Sequence, residues 1–224
     1  MTDPDGAARA RQRDLVRRGY DTISRAYRDD SGAPAAGSAE RMSRYADWVA
    51  DLAGLLRSGA TVLDLGCGNG LPGARLLADR GWQVLGVDFS AVQVGRAARL
   101  VPAARFIRSD ITELAIRPGS LDAIVSLYTL IHLPLADQRQ LIPRLRDWLR
   151  PGGYLLVIVG AERWTGVDNF LGAEMFWDHE GTQAYLEWLA AAGLAPRWHR
   201  FIPEGTSGHT LVLAQAVTRP AGDA

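Results

Sequence analysis

The 224-residue chain contains no lysine. Its 25 basic residues are all arginine and face 25 acidic residues, so the formal net charge is zero. Without lysine there is no Schiff base or amine nucleophile, which excludes pyridoxal-phosphate and aldolase-type lysine mechanisms. A balanced charge gives no electrostatic reason to expect nucleic acid or an anionic membrane as partner. Cysteine is nearly absent too. The single Cys67 permits no disulfide within the chain and no cysteine-rich metal cluster, so no metal is expected. That usage fits a reducing compartment. Long apolar runs are also missing: the longest, LLVIV at 155–159, is far too short to cross a bilayer. The first 30 residues mix Arg with Asp and lack the apolar centre of a signal peptide, so a cytoplasmic protein is expected. What is present is ordinary for a globular protein, with 47% apolar and 22% charged residues. The length suits one domain with a full core. Arginine in place of lysine, with abundant Ala and Gly, is the composition of a GC-rich bacterial genome.

The pattern divides the chain into three parts. Val16, Tyr20, Ile23 and Tyr27 recur at spacings of 4, 3 and 4, one face of an amphipathic helix. SGAPAAGS at 31–38 reads as a mobile linker. Residues 1–38 are thus expected to form an N-terminal helix and linker, 39–218 the main domain, and 219–224 a disordered tail. Residues 40–57 are again helical. From residue 60, strands (ATVLDL, WQVLGVD, ARFIRSD, LDAIVSLY, YLLVIVG) alternate with helices, which means a parallel sheet covered on both faces. The last two strands, APRWHRFIP and HTLVLAQAV, have only EGTSG between them and must be antiparallel.

The chemistry concentrates in VLDLGCGNGLPG, residues 62–73. A glycine-rich turn directly after a strand tolerates positive φ and lets a ligand approach the backbone. Two registers are open. Gly68, Gly70 and Gly73 fit the G-x-G-x-x-G of a dinucleotide site; Gly66, Gly68 and Gly70 fit the tighter turn of proteins that bind S-adenosylmethionine (SAM). Asp88, eighteen residues past Gly70 at the end of the second strand, is placed to receive ribose hydroxyls in either register. Three features favour the Gly66 register. Asp64 lies inside the strand, where it suits a cationic amine and would repel a pyrophosphate. Gly66 follows the strand directly. A terminal antiparallel hairpin is foreign to the usual dinucleotide-binding half.

VLDLGCGNG, GVDFS, FIRSDI, LDAIVSLYTLIHL and LRPGGYLLVIV, in that order, resemble the class I SAM-dependent methyltransferase family over about residues 40–160. The resemblance implies an α/β, Rossmann-like fold: a seven-stranded sheet in the order 3-2-1-4-5-7-6, helices on both faces, strand 7 antiparallel. It implies SAM as cofactor. Asp64 and the backbone around Gly66, Cys67 and Gly68 would hold the methionine portion. Asp88 would grip the ribose, Phe89 and Ser90 would line the adenosine, and Asp110 and Ile111 would meet the adenine. Leu127 and Tyr128 would border the sulfonium, and Tyr20 and Tyr27 resemble a helix that closes over SAM.

Methyl transfer from a sulfonium needs positioning above all, and a general base only where the acceptor must lose a proton. His132 and His179 are the candidates for that base. The stretch 161–181, rich in aromatics, is expected to be a long loop that roofs the acceptor, with Trp164, Phe176 and Trp177 as walls. SLYTLIHL at 126–133 lacks the N-P-P-Y-type tetrad of many nucleic-acid amino methyltransferases. The expected acceptor is therefore small, partly apolar and methylated on O, N or C. The rival readings are a SAM binder that does not methylate, such as a cyclase on the same fold, and a nicotinamide oxidoreductase. Oligomeric state leaves no trace in the sequence.

Overall fold

A computed structural model of the chain describes residues 4–31 and 39–217. The linker at 32–38 and the tail at 219–224 lie outside the described residues. Helices α1 (Pro4–Tyr27) and α2 (Ala39–Ala53) precede an alternating succession: β1 (Thr61–Leu65), α3 (Gly73–Ala78), β2 (Gln83–Asp88), α4 (Ala91–Leu100), β3 (Arg105–Arg108), β4 (Leu121–Ser126), α5 (Leu135–Trp148) and β5 (Leu149–Gly160). Then come β6 (Trp164–Phe170), β7 (Ala173–His179), α6 (Thr182–Ala191), β8 (Leu194–Glu204) and β9 (Ser207–Ala216).

Seven strands form one sheet in the order β3-β2-β1-β4-β5-β9-β8, with β9 antiparallel to both neighbours. Leaving out β6 and β7, which pair only with each other, this is the expected 3-2-1-4-5-7-6. The central strands are buried on both faces, as a parallel sheet between helices requires. Alternate residues feed two cores. On β5, Leu155, Val157 and Val159 meet α5 and α6. Leu156 and Ile158 meet the core of α2 and α3, with Trp48, Leu52 and Leu77.

One expectation is corrected. Residues 161–181 are not a loop, for most of them form the hairpin β6–β7, in register from Trp164 opposite His179 to Phe170 opposite Ala173. Its two-residue turn, Leu171-Gly172, has φ of 53° and 89°, the left-handed pair that matches strand twist. The sequence concealed it because β6 lacks a period-two burial pattern and carries Leu where turns of this type favour Asn or Asp. The hairpin gives α1 its second support. Val16 and Ile23 of α1 form a separate small core with Met175 and Phe176 of β7.

Candidate cofactor and acceptor site

The chain turns as soon as β1 ends. Gly66 and Cys67 donate their N–H groups to the Val87 carbonyl at 2.8 and 3.0 Å. Gly68 N–H donates to Asp88 Oδ2 at 3.0 Å. These amides, expected to face the methionine portion, are thus occupied in tying the turn to the end of β2. What the turn offers a ligand is bare Cα surface. Gly66 has φ +79°, and a side chain there would stand 2.0 Å from Thr129 Oγ1, so only glycine fits. A side chain on Gly68 would meet nothing within 4 Å, so that face is open. The Cys67 side chain is buried and burial raises its thiol well above the usual range, so it packs rather than reacts.

A pocket opens beside this turn at the carboxyl ends of the strands. Gly66, Gly68, Asp88 and Phe89 line one side, Asp110 and Ile111 another, and Leu127, Tyr128 and His132 a third. Val16, Tyr20 and Tyr27 of α1 close the top. Asp88 accepts from Ser90 N–H at 2.9 Å as well as from Gly68, and burial pushes its carboxyl up to about 6. Ser90 is not on the wall: it caps α4 by accepting from Gln93 N–H at 3.0 Å and donates to Asp21. Asp110 accepts from the N–H and hydroxyl of Thr112, and its other oxygen accepts from Arg13 Nε at 2.9 Å. Arg13 also reaches Asp137 of α5, so it clasps α1 across the mouth of the cavity.

Tyr27, Gly66, Gly68 and Leu127 also border a narrower recess that holds Asp64, Arg28 and Tyr45. Arg28 lies over the rings of Tyr27 and Tyr45, its carbon 4.9 and 5.0 Å from their centroids, and donates to Tyr45 Oη at 2.8 Å. Asp64 is 5% exposed, and its Oδ2 is buried with no hydrogen-bond partner among the described residues. Burial pushes its carboxyl up to about 7, reinforced by the Asp88 charge and opposed by Arg28 and by a backbone hydrogen bond from Ala74. A buried carboxylate oxygen without a donor is an acceptor awaiting a cation.

At the other end of the main cavity, Tyr20 and His132 touch. His132 Nδ1 must carry the ring proton, because its partner at 2.9 Å is the Phe176 carbonyl. Nε2 therefore accepts from the Tyr20 hydroxyl at 3.0 Å. Burial lowers His132 to about 4, so the ring is neutral at physiological pH. Tyr128, with φ +62°, is a strained non-glycine residue at this same wall, and such strain clusters at functional positions.

The remaining candidates lie elsewhere. Trp164, Trp177 and His179 line a second cleft, beyond the wall formed by Tyr128 and His132. His179 donates from Nδ1 to the Glu162 carbonyl at 2.7 Å. Phe176 is packed beneath α1 and faces neither space directly; its carbonyl orients His132. Sequence reasoning missed Arg28, Arg13 and Thr129. Arg28 directly follows Tyr27 and had that one available signal; Arg13 and Thr129 act through contacts between residues far apart in the chain.

A doubly wound sheet with a glycine turn after β1 and carboxylates at the ends of β1 and β2 defines a nucleoside-cofactor-binding α/β domain. Residues 62–153 match the family described as a methyltransferase domain. Over that stretch, 92 of the 224 residues, the chain is similar to known SAM-dependent methyltransferases. It is similar to a trans-aconitate 2-methyltransferase of Deinococcus radiodurans, 46% identical over 105 residues, which span 46% of this chain and 38% of that protein. The matches cover 38%, 32% and 38% of the lengths of the first three curated relatives. Among solved structures it resembles the 1,6-didemethyltoxoflavin-N1-methyltransferase of Burkholderia thailandensis (TM-score 0.68, 19% identity, 97% of this chain and 92% of that one). It also resembles the cyclase SpnF (TM-score 0.72, 20% identity, 89% and 94%). Among the described residues no helix is long and apolar enough to cross a membrane, and no group of three or more His, Cys, Asp or Glu could hold a metal ion.

Proposed function

We propose that this protein is a cytoplasmic SAM-dependent methyltransferase that acts on a small, partly apolar organic acceptor. The observation that carries the reading is the recess beside the glycine turn, where Arg28 stands with Asp64, whose buried Oδ2 has no hydrogen-bond partner among the described residues. Opposite charges set side by side suit the zwitterionic head of an amino acid, with its ammonium on Asp64 and its carboxylate on Arg28. A nicotinamide dinucleotide has no ammonium to donate to Asp64, and its pyrophosphate would be repelled there. Bound SAM supplies an electrophilic methyl group on a sulfonium.

The protein's own groups do the rest. Asp88 is fixed by two backbone N–H groups and keeps free lone pairs for ribose hydroxyls. Asp110, Ile111 and Phe89 border the space left for the base. Tyr20 and Tyr27 exclude water from above. His132 has lost much of its basicity to burial, so it suits orienting the Tyr20 hydroxyl better than removing a proton from the acceptor. A small acceptor is supported by zero net charge and by the relatives, one named for trans-aconitate and another for a demethylrifamycin.

Calorimetry with SAM, S-adenosylhomocysteine (SAH) and NAD tests the reading. Both adenosyl ligands should bind, NAD should not, and Asp88→Ala should lose the binding. Binding of NAD alone would overturn it.

A further inference from the structure

The Tyr128 and His132 wall has a second side. There the hairpin β6–β7 and the turn between β8 and β9 enclose an open cleft of about 1040 Å³. Trp164, Trp177 and Phe201 give it aromatic surfaces, and Trp164 and Phe201 are 40% and 59% exposed. Isolated exposed aromatics need no explanation, but three around one cleft suit a planar apolar ligand. The cleft adjoins the cofactor cavity through two ring contacts. His132 lies 5.2 Å from Trp177, and Tyr128 lies 5.5 Å from His209.

His209 is the polar group of this cleft that the reading above leaves without a role. Its Nδ1 is 2.9 Å from Glu204 Oε2, and the other Glu204 oxygen accepts from the Tyr128 hydroxyl. A carboxylate can only accept, so Nδ1 carries the proton and Nε2 bears the lone pair. Nε2 has no hydrogen-bond partner among the described residues. The arrangement is a base, a carboxylate that orients it and stabilises its protonated form, and a tyrosine that anchors the carboxylate at the cofactor wall. The other titratable groups around His209 are His179 on β7, with its ring 5.8 Å away, and Glu162, Arg163 and Asp168 at the cleft. Arg163 is paired with Asp178 and Glu180, so the carboxylates Glu162 and Asp168 leave the cleft acidic. A carboxylate acceptor would be repelled. An aliphatic alcohol is too weak an acid for imidazole, whereas an aromatic hydroxyl has acidity comparable with tyrosine, about 10.

We propose that this cleft is the acceptor site, that it takes a planar aromatic hydroxyl compound, and that His209, held by Glu204, is its general base. The inference rests on the methyltransferase reading above. The acceptor O–H bond breaks and its proton passes to His209 Nε2. With the Tyr128 ring turned out of the shared wall so that the acceptor oxygen meets the sulfonium, the electron pair left on oxygen forms the new O–C bond to the methyl group, while the C–S bond breaks with its pair remaining on sulfur. The imidazolium then returns the proton to water. General bases of this kind contribute roughly 100- to 10,000-fold to rate.

para-Nitrophenol serves as the probe, because its phenolate has its own visible band. It is added to the full chain with SAH near neutral pH, and the band is read as the excess over that of the free probe. The wild type should bind it and show the phenolate band. His209→Asn and Glu204→Gln should lose the band and bind about tenfold more weakly, while both still bind SAH. Intact SAH binding in these variants also certifies their folding. Failure of SAH to bind the wild type would count against the methyltransferase reading, whereas the probe result stands separately. No binding, binding without the band, a band that survives His209→Asn, or tighter binding of para-nitrobenzoate would each overturn the proposal.

Discussion

The two cavities share a wall and are built from different material. The cofactor cavity sits on the carboxyl ends of parallel strands, where each turn leaves a buried β-strand and cannot move without disturbing the sheet. Its working groups are the buried carboxylates Asp64 and Asp88 and the half-buried Arg28. The second cleft is made by two hairpins, one of them outside the main sheet, and its aromatics are half exposed. A ligand common to many enzymes suits the first kind of construction, and a ligand particular to one enzyme suits the second, because a hairpin can change its side chains without altering the sheet.

The sharpest way to break this contrast is to damage the rigid side. Gly66→Ala puts a methyl group into Thr129 at a backbone angle that disfavours side chains. The left-handed conformation costs about 1–2 kcal/mol and overpacking about 1–3 kcal/mol more. Denaturant melts should show a loss of about 2–5 kcal/mol, and SAH binding should disappear. The hairpin side has a tight position too, Gly208, where a side chain would stand 2.3 Å from the Ile202 carbonyl oxygen, but a change there should leave SAH binding in place.

Asp64 comes next. Its buried carboxyl titrates near 7 rather than at its ordinary 3.8. The unfolded chain therefore ionises first as pH rises, so this group opposes folding increasingly from about pH 4 through 7. Asp64→Asn should be the more stable protein above pH 7. The ligand's ammonium requires the charged carboxylate, so wild-type SAH affinity should rise with pH through about 7, with a proton released on binding below that value. The Asn variant should bind about ten- to a hundredfold more weakly, from a charged hydrogen bond of about 1.5–3 kcal/mol, and without pH dependence. Calorimetry in buffers of different ionisation enthalpy reads both effects.

The rigid side was also the legible one. The alternation of strands and helices, the glycine turn and Asp88 follow from period and turn chemistry within short windows of sequence, whereas the strand order came from the family resemblance. Tyr20 and Tyr27 were visible because they share a helix face. Arg28 was not, since its role depends on Tyr45 and Asp64 approaching from other elements. The hairpin β6–β7 was read as a loop because β6 is exposed along nearly its whole length, which removes the alternation that marks a strand. His132 was legible as a candidate, but the burial that weakens it as a base is a property of the folded surroundings alone.

Arg13 tests how firmly α1 belongs to the cofactor side. It joins α1 to Asp110 and Asp137, and all three side chains are at least three-quarters buried. Arg13→Ala should cost about 1–3 kcal/mol, because two carboxylates lose a shared partner. Amide exchange should quicken in α1 and leave β1 and β4 unchanged, and SAH affinity should fall less than in Asp64→Asn.

The smallest effect should come from Trp164, and its smallness carries the comparison. The side chain is 40% exposed and meets Trp177 edge-on, with centroids 5.8 Å apart. An aromatic pair of this kind is worth about 0.5–1.5 kcal/mol beyond area burial, so Trp164→Ala should lower stability by about 1 kcal/mol. SAH affinity should stay within about twofold, since a change of 0.4 kcal/mol or less reaches the cofactor wall only through Trp177 and His132. Aromatic ligands of the cleft should lose affinity about tenfold. If SAH binding fell as far as probe binding, the two cavities would be one coupled site, and the division between a fixed cofactor side and a variable acceptor side would fail.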